Sequence, residues 1–128
     1  MSTPLSKRDE TRKGLRDDIA AAARAAYGKK ATEVVALDLR KVAAFTDYFL
    51  ICTGQNARQV RAVADAIDAA LAATGVKPTH VEGYDRSEWI LLDYFDFIVH
   101  VFTPVQRQFY SLERLWGSAE RIEVPDIA

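Results

Sequence analysis

SEWILLDYFDFIVHVF, residues 87–102, contains two apolar runs that are separated by a short turn. The runs, Trp89 to Tyr94 and Phe97 to Phe102, are rich in β-branched and aromatic residues, as strands usually are. Only Phe95 and Asp96 lie between them, and a connection this short makes neighbouring strands antiparallel. We therefore take this stretch as the centre of a β-sheet.

The sequence before this pair predicts three more strands. Thr79 to Glu82 is a third candidate, joined to the pair through the turn around Gly83-Tyr84-Asp85. Val34 to Leu39 and Tyr48 to Thr53 are nearly continuous apolar runs, which suits strands that are covered on both faces. The sequence thus predicts a sheet of five strands.

Two helices are predicted upstream of the central pair. Leu15 to Tyr27 is alanine-rich and has apolar residues at helical spacing. A second helix begins after Asn56, an N-cap candidate that has Gln59 three residues on. Gly75 is expected to end it as the C′ residue, and Pro78 prevents it from continuing.

A third helix is predicted at the C-terminal end of the sheet sequence. Thr103 is the N-cap candidate, Pro104 occupies the first helical turn, and the helix is expected to run to Gly117. Its predicted apolar face consists of Val105, Phe109, Leu112, Leu115 and Trp116.

The element order predicts an α/β fold, with a single domain in which a mixed five-stranded sheet is flanked by helices. A chain of 128 residues, 49% of them hydrophobic, is large enough for one core and too short for two to be expected. We expect a flexible N-terminal tail at residues 1–14, the domain at residues 15–117 and a polar tail at residues 118–128.

Composition narrows the class of protein. The single cysteine, Cys52, lies in an apolar run and suits a buried position in a reducing cytosol. The stretch Met1 to Gly14 lacks the apolar core of a secretory signal, and no run approaches the roughly 20 residues that cross a bilayer. With 17 basic and 18 acidic residues, charge alone does not favour a nucleic-acid coat, so RNA contact is expected to be secondary. We expect a soluble, cytoplasmic protein.

The negative charge is concentrated near the central pair of strands. From Glu82 to Asp96 there are five carboxylates against one base, Arg86, although the formal net charge of the chain is only −1. Trp89 and Tyr94 lie inside this acidic window, and large aromatics ringed by charge often anchor protein interfaces. A basic protein partner is the first hypothesis.

Catalytic chemistry is less well supported by the residues. The turn at Thr53 to Arg58 could hold a phosphate at a helix N-terminus, but it has no Walker or dinucleotide glycine pattern. The aspartates at positions 38, 47, 93 and 96 are not spaced so as to converge on a metal ion, and the two histidines lack further zinc ligands. His100 lies on an apolar strand, where a hydrogen-bonded structural role is favoured. We expect no enzyme, no cofactor and no metal; a metal-dependent nucleotidyltransferase is the alternative.

These residues closely resemble the ribosomal silencing factor family, also called the Iojap family. The resemblance covers nearly everything from Ile19 to Trp116, in order. The stretches that carry it are Val35 to Arg40, Thr46 to Gly54, Asn56 to Asp68, His80 to Gly83, Glu88 to His100 and Arg107 to Trp116.

The resemblance implies a small α/β domain whose topology is related to nucleotidyltransferases but which lacks their catalytic acids. It also implies that the protein binds the large ribosomal subunit, mainly through ribosomal protein uL-fourteen. By occupying the face that meets the small subunit, it would sterically block subunit association and repress translation when nutrients are short. A homodimer formed through the helix that carries Trp116 is a further hypothesis that does not conflict with this function.

The predicted partner-binding residues combine an aromatic centre with an acidic rim. Where the family usually reads Asp-Tyr-Gly-Asp, this chain has Phe95 in place of the glycine, so we expect a turn of different geometry or an added exposed apolar contact. Trp89, Asp93 and Tyr94 are expected to be the central contacts, and Glu82, Glu88 and Asp96 the rim.

Overall fold

The computed structural model of the chain describes residues 16–125, so the predicted tail at residues 1–14 lies outside the described residues. The strands are β1 (Thr32–Asp38), β2 (Tyr48–Thr53), β3 (His80–Glu82), β4 (Trp89–Asp93), β5 (Phe97–Phe102) and β6 (Glu120–Glu123). They form one sheet in the order β3-β4-β5-β2-β1-β6.

The sheet is mixed, as predicted, but it has six strands and not five. β2 and β5 run parallel, and each of the other neighbouring pairs among these strands is antiparallel. The unpredicted strand, β6, lies within the stretch that was expected to be a polar tail. It pairs with β1 from Val35 opposite Glu123 to Asp38 opposite Glu120, and its Ile122 packs against the core.

The helices are α1 (Asp17–Gly28), α2 (Ala57–Ala72), α3 (Pro104–Tyr110) and α4 (Leu112–Leu115). Both predicted ends of α2 are confirmed. Asn56 caps its start, with Oδ1 accepting the N–H of Gln59 at 2.9 Å. At the other end Gly75 has φ = +84° and donates to Ala72, while Val76 donates to Leu71, which is the Schellman arrangement. Among residues 16–125, no helix is both long and apolar enough to cross a membrane.

The single helix predicted between Thr103 and Gly117 is wrong in the structure. It breaks at Ser111, whose φ of 47° is left-handed, into α3 and α4. Only Leu112 of the expected apolar face is buried and Trp116 is half-buried, whereas the side chains of Val105, Phe109 and Leu115 are more than 70% exposed. The buried residue of α3 is Arg107.

The two faces of the sheet are covered differently. The back face packs against α1 and α2, where small alanine side chains on α1 allow the two helices to approach each other closely. The front face carries a smaller cluster, which is covered by the segment from α3 to Ala119. Its buried members are Val35, Leu37, Leu39, Phe49, Ile51, Ile98, Phe102 and Leu112.

Candidate functional site

The front face is incompletely covered at β4. Side chains along this strand alternate between half-buried and buried, with Trp89, Leu91 and Asp93 half-buried on the front face, as the period-two pattern predicts. β3 lies beside it in a register that sets Glu82 opposite Leu91 and His80 opposite Asp93. Because directly opposed residues point to the same face, the structure brings Glu82, Trp89 and Asp93 together on the front face.

Trp89 is held in place by contacts on three sides. Its ring stacks on Phe102 of β5, with centroids 4.8 Å apart, and lies 4.5 Å from the ring of Tyr110. Its indole Nε1–H donates to Nδ1 of His100 at 3.0 Å. The hydrogen-bonded, structural role expected for His100 is thus confirmed, and Trp89 is an ordered, partly open aromatic surface.

Tyr94 does not belong to this surface. Its side chain is only 7% exposed and lies in the back-face core, where its ring stacks on Phe97 with centroids 5.0 Å apart. Burial raises the pKa of its phenol well above the usual range. A ring sealed on the opposite face from Trp89 cannot touch a partner there, so we correct the expected contact set by removing Tyr94.

Each carboxylate of the predicted rim lies close to a basic side chain. Glu82 lies 2.7 Å from His80, with both side chains exposed. Glu88 precedes β4 and lies 3.7 Å from Arg86, and Asp96, in the β4–β5 turn, lies 3.6 Å from Arg16. Glu88 and Asp96 thus lie before and after β4 in the chain.

The turn after β4 has a backbone conformation that glycine favours. Phe95 has φ = +76°, in the left-handed region that residues with a side chain adopt less readily than glycine. Oδ1 of Asp93 accepts the N–H of Phe95 at 2.8 Å, and the hydroxyl of Thr46 donates to its carbonyl at 2.9 Å. These bonds hold the turn while the phenylalanine ring remains 72% exposed, which confirms the expected exposed apolar group.

Sequence reasoning missed two aromatic residues that extend the surface. Tyr110 bridges Trp89 to Phe109, whose ring centroid lies 5.0 Å from that of Tyr110 and whose side chain is 76% exposed. We call these three rings the aromatic row. In the structure Arg107 turns inward, so Val105 and Phe109, two positions away on either side, turn outward; no local sequence signal shows that Arg107 is buried.

Arg107 organises a cleft of about 600 Å³ beside the ends of β2 and β5. Its guanidinium donates to Thr53, to the carbonyl of Glu33 and to both carboxylate oxygens of Glu113. This contact holds the pKa of Glu113 below its usual range. The pairing leaves the cleft little net positive charge from Arg107 with which to attract a phosphate.

Cys52 and the candidate metal ligands are the remaining groups whose chemistry the sequence raised. Cys52 is fully buried, as expected, and burial raises the pKa of its thiol to about 12, so it stays protonated. Within residues 16–125, no three His, Cys, Asp or Glu side chains are grouped so that they could hold a metal ion.

Comparison with known proteins points in one direction. The family model described as "Ribosomal silencing factor during starvation" matches residues 12–128. The chain is 41% identical to the ribosomal silencing factor of Bacillus subtilis, over 77% of this chain and 83% of that protein. It is 29% identical to a mouse protein named "Mitochondrial assembly of ribosomal large subunit protein 1", over 56% of this chain and 33% of that protein.

A solved structure supports the same relationship. The crystal structure of a Chromobacterium violaceum protein is 33% identical in sequence and has a TM-score of 0.77. The match covers 79% of this chain and 84% of that one.

Proposed function

The chain belongs to the ribosomal silencing factor family, and from this premise we propose that it docks on the large ribosomal subunit and sterically blocks joining of the small subunit. The docking partner we propose is mainly ribosomal protein uL-fourteen, with at most minor contact to ribosomal RNA, in the cytoplasm. Repression of translation follows because a large subunit that cannot join a small subunit cannot take part in the initiation of translation.

The observation that carries this proposal is the partly open front face of β4. It presents an ordered tryptophan, flanked by the other two rings of the aromatic row and by the carboxylates of Glu82 and Asp93. Protein interfaces favour a rigid aromatic anchor with a polar rim, and a basic partner would complement the acids. No reacting group or cofactor is needed for a steric mechanism.

Co-sedimentation with purified large subunits tests the anchor. Trp89→Ala is expected to weaken binding by about 2 kcal/mol or more, roughly 30-fold, because truncating a central aromatic removes most of its contact. Trp116→Ala is the matched control, since Trp116 is also half-buried on the front face but packs against Phe45 and Phe49 instead.

Both variants are compared below their unfolding temperatures, so that the fraction folded is the same. Binding by Trp89→Ala at the wild-type level would remove this residue from the interface. An equal loss in both variants would show that the effect is not specific to the β4 surface.

The role of the acidic rim is tested by association kinetics. Glu82→Gln is expected to lower the on-rate several-fold at low salt and to flatten its salt dependence, because opposite charges steer encounter. Glu120→Gln makes the same charge change on β6, at the far edge of the sheet, and is expected to leave the on-rate unchanged. Equal on-rates for the two variants would contradict steering by Glu82.

Self-association is a separate proposal that rests on the exposed side chains of α3 and α4. Val105, Phe109 and Leu115 each leave more than 70% of a large apolar side chain exposed on these two short helices. A second copy that covers them would raise the mass measured by light scattering, and Leu115→Lys would then return the protein to a monomer. A monomeric wild-type mass at assay concentrations would contradict it.

A further inference from the structure

The indole of Trp89 turns its single polar atom inward. Tryptophan has one hydrogen-bond donor and no acceptor on its side chain, and Nε1–H of Trp89 is already used on His100 at 3.0 Å. Any part of this side chain that remains accessible therefore consists of ring carbons. A partner can stack on or pack against Trp89 but finds no free N–H to accept from.

His100 is itself fixed by its surroundings. It is 3% exposed, its ring stacks on Phe102 with an interplanar angle of 10°, and it meets the ring of Phe49 nearly edge-on at a centroid distance of 4.5 Å. It lies on β5 directly opposite Leu91 of β4. A side chain enclosed in this way has no other rotamer within easy reach.

The hydrogen bond also defines the protonation state of His100. Because Trp89 can only donate, Nδ1 must carry a lone pair and the ring proton must lie on Nε2. Nε2 is buried and has no hydrogen-bond partner among the described residues. Burial lowers the pKa of the imidazole to about 3, so the accepting form persists at neutral pH.

We propose that His100 is the positioning residue of the docking surface: it anchors the indole of Trp89 through Nδ1 so that the ring is presented to the partner in one orientation. This inference rests on the proposed function. Fixing a large aromatic before binding removes the entropy that would otherwise be lost on complex formation, so the bond strengthens binding although His100 never touches the partner.

Two substitutions separate the hydrogen bond from the bulk of the ring. His100→Asn keeps an acceptor, since the side-chain oxygen of asparagine can take the place of Nδ1, whereas His100→Leu fills space without an acceptor. We expect His100→Leu to weaken binding to purified large subunits roughly three- to tenfold, the range of one neutral hydrogen bond, and His100→Asn to restore most of it.

The rate at which the indole N–H proton of Trp89 exchanges with water provides a readout that packing alone would not change. In a Trp116→Phe background, the nitrogen–proton NMR spectrum contains the indole signal of Trp89 without that of Trp116. We expect this proton to exchange slowly with water in the otherwise wild-type protein and in His100→Asn, and quickly in His100→Leu.

Three outcomes would overturn the inference. Wild-type affinity of a folded His100→Leu variant would show that the bond does not position Trp89. Rapid exchange of the Trp89 indole proton with His100 intact would show that the bond is absent. This measurement requires no substitution at His100. Wild-type binding by Trp89→Ala would overturn the inference and the proposed anchor together. Loss of binding in Trp89→Ala without loss of binding in His100→Leu would overturn the inference alone.

Discussion

The imidazole of His100 is the most strongly perturbed basic group that the structure describes, and its burial has a thermodynamic cost at low pH. The folded chain binds a proton at His100 only near pH 3, whereas the unfolded chain binds it near the ordinary pKa of 6.5. Between these values the unfolded state holds more protons. Lowering the pH through this window therefore favours unfolding.

We predict that the free energy of unfolding falls by roughly 1.4 kcal/mol for each pH unit below about 6. The carboxylates of Asp38 and Glu113, whose pKa values are lowered in the folded state, act in the same direction but only below their ordinary values of 3.8 and 4.5. Urea unfolding at pH 6.5, 5.5 and 5.0 stays above both of these values, so the two carboxylates contribute little to the slope.

His100→Asn is the control for this prediction, because asparagine does not titrate. Its unfolding free energy is expected to be nearly flat over the same three pH values. A parallel slope in the variant and the wild type would assign the effect to other groups.

At the scale of elements, the connection between β3 and β4 determines where Trp89 enters the sheet. Arg61 of α2 ties this connection down, donating to the hydroxyl of Ser87 at 3.0 Å and to the carbonyl of Asp85 at 3.1 Å. Gly83 begins the connection at φ = +81°, and a Cβ there would lie 2.0 Å from the backbone oxygen of Trp89. The backbone of the candidate site thus depends on the absence of a side chain at position 83.

We predict that Gly83→Ala destabilises the fold by about 2–4 kcal/mol, because it combines left-handed strain with a backbone clash. Gly75→Ala is the matched control: its φ is +84°, but no atom lies within 4 Å of the added Cβ. It is expected to cost about 1–2 kcal/mol, the strain alone. Equal urea midpoints for the two variants would show that the clash is relieved without cost.

The same elements show what local sequence patterns could and could not predict. Tyr48–Thr53 and Phe97–Phe102 were predicted to the residue because both are continuous apolar runs between clear turn signals. The break in the last helix was missed because serine is not a usual left-handed residue, and because the groups that let Arg107 be buried, Thr53 and the carbonyl of Glu33, are distant in sequence.

The candidate site was predicted in part for similar reasons. Alternation along β4 correctly places Trp89 and Asp93 together, and the same alternation places Tyr94 on the opposite face with the buried Leu92. The composition of the acidic window instead grouped Tyr94 with Trp89. That grouping failed because residues that are close in sequence on a strand need not share a face. The contribution of Tyr110 depends on how α3 returns over the front face, which no local pattern shows.

At the scale of the whole molecule, the sheet extends past the expected domain boundary at Gly117. β6 was missed because Ile122 is the only apolar residue in Glu120–Glu123, too few for an alternation signal. It nevertheless covers the edge of β1, and Ile122 and Val124 pack against the back-face core. The hydroxyl of Tyr27 on α1 donates to the carbonyl of Val124 beyond the strand.

We predict that a chain ending at residue 117 is less stable than one ending at residue 125 by about 2–4 kcal/mol. The loss combines partly buried apolar area with the hydrogen bonds between β6 and β1. Thermal unfolding of the two chains measures the difference. Equal melting temperatures would show that β6 contributes nothing to the core and would restore the shorter boundary.

The parallel pairing of β2 with β5 also bears on when the parts of the sheet form during folding. Residues 54–96 intervene between these two strands, and pairings across such long segments form late in folding. Until β5 docks, β4 cannot join the sheet, and Trp89 lacks both its hydrogen-bond acceptor and the ring on which it stacks. A chain still in the process of folding therefore lacks the front surface of β4, and with it the surface that we propose docks on the ribosome.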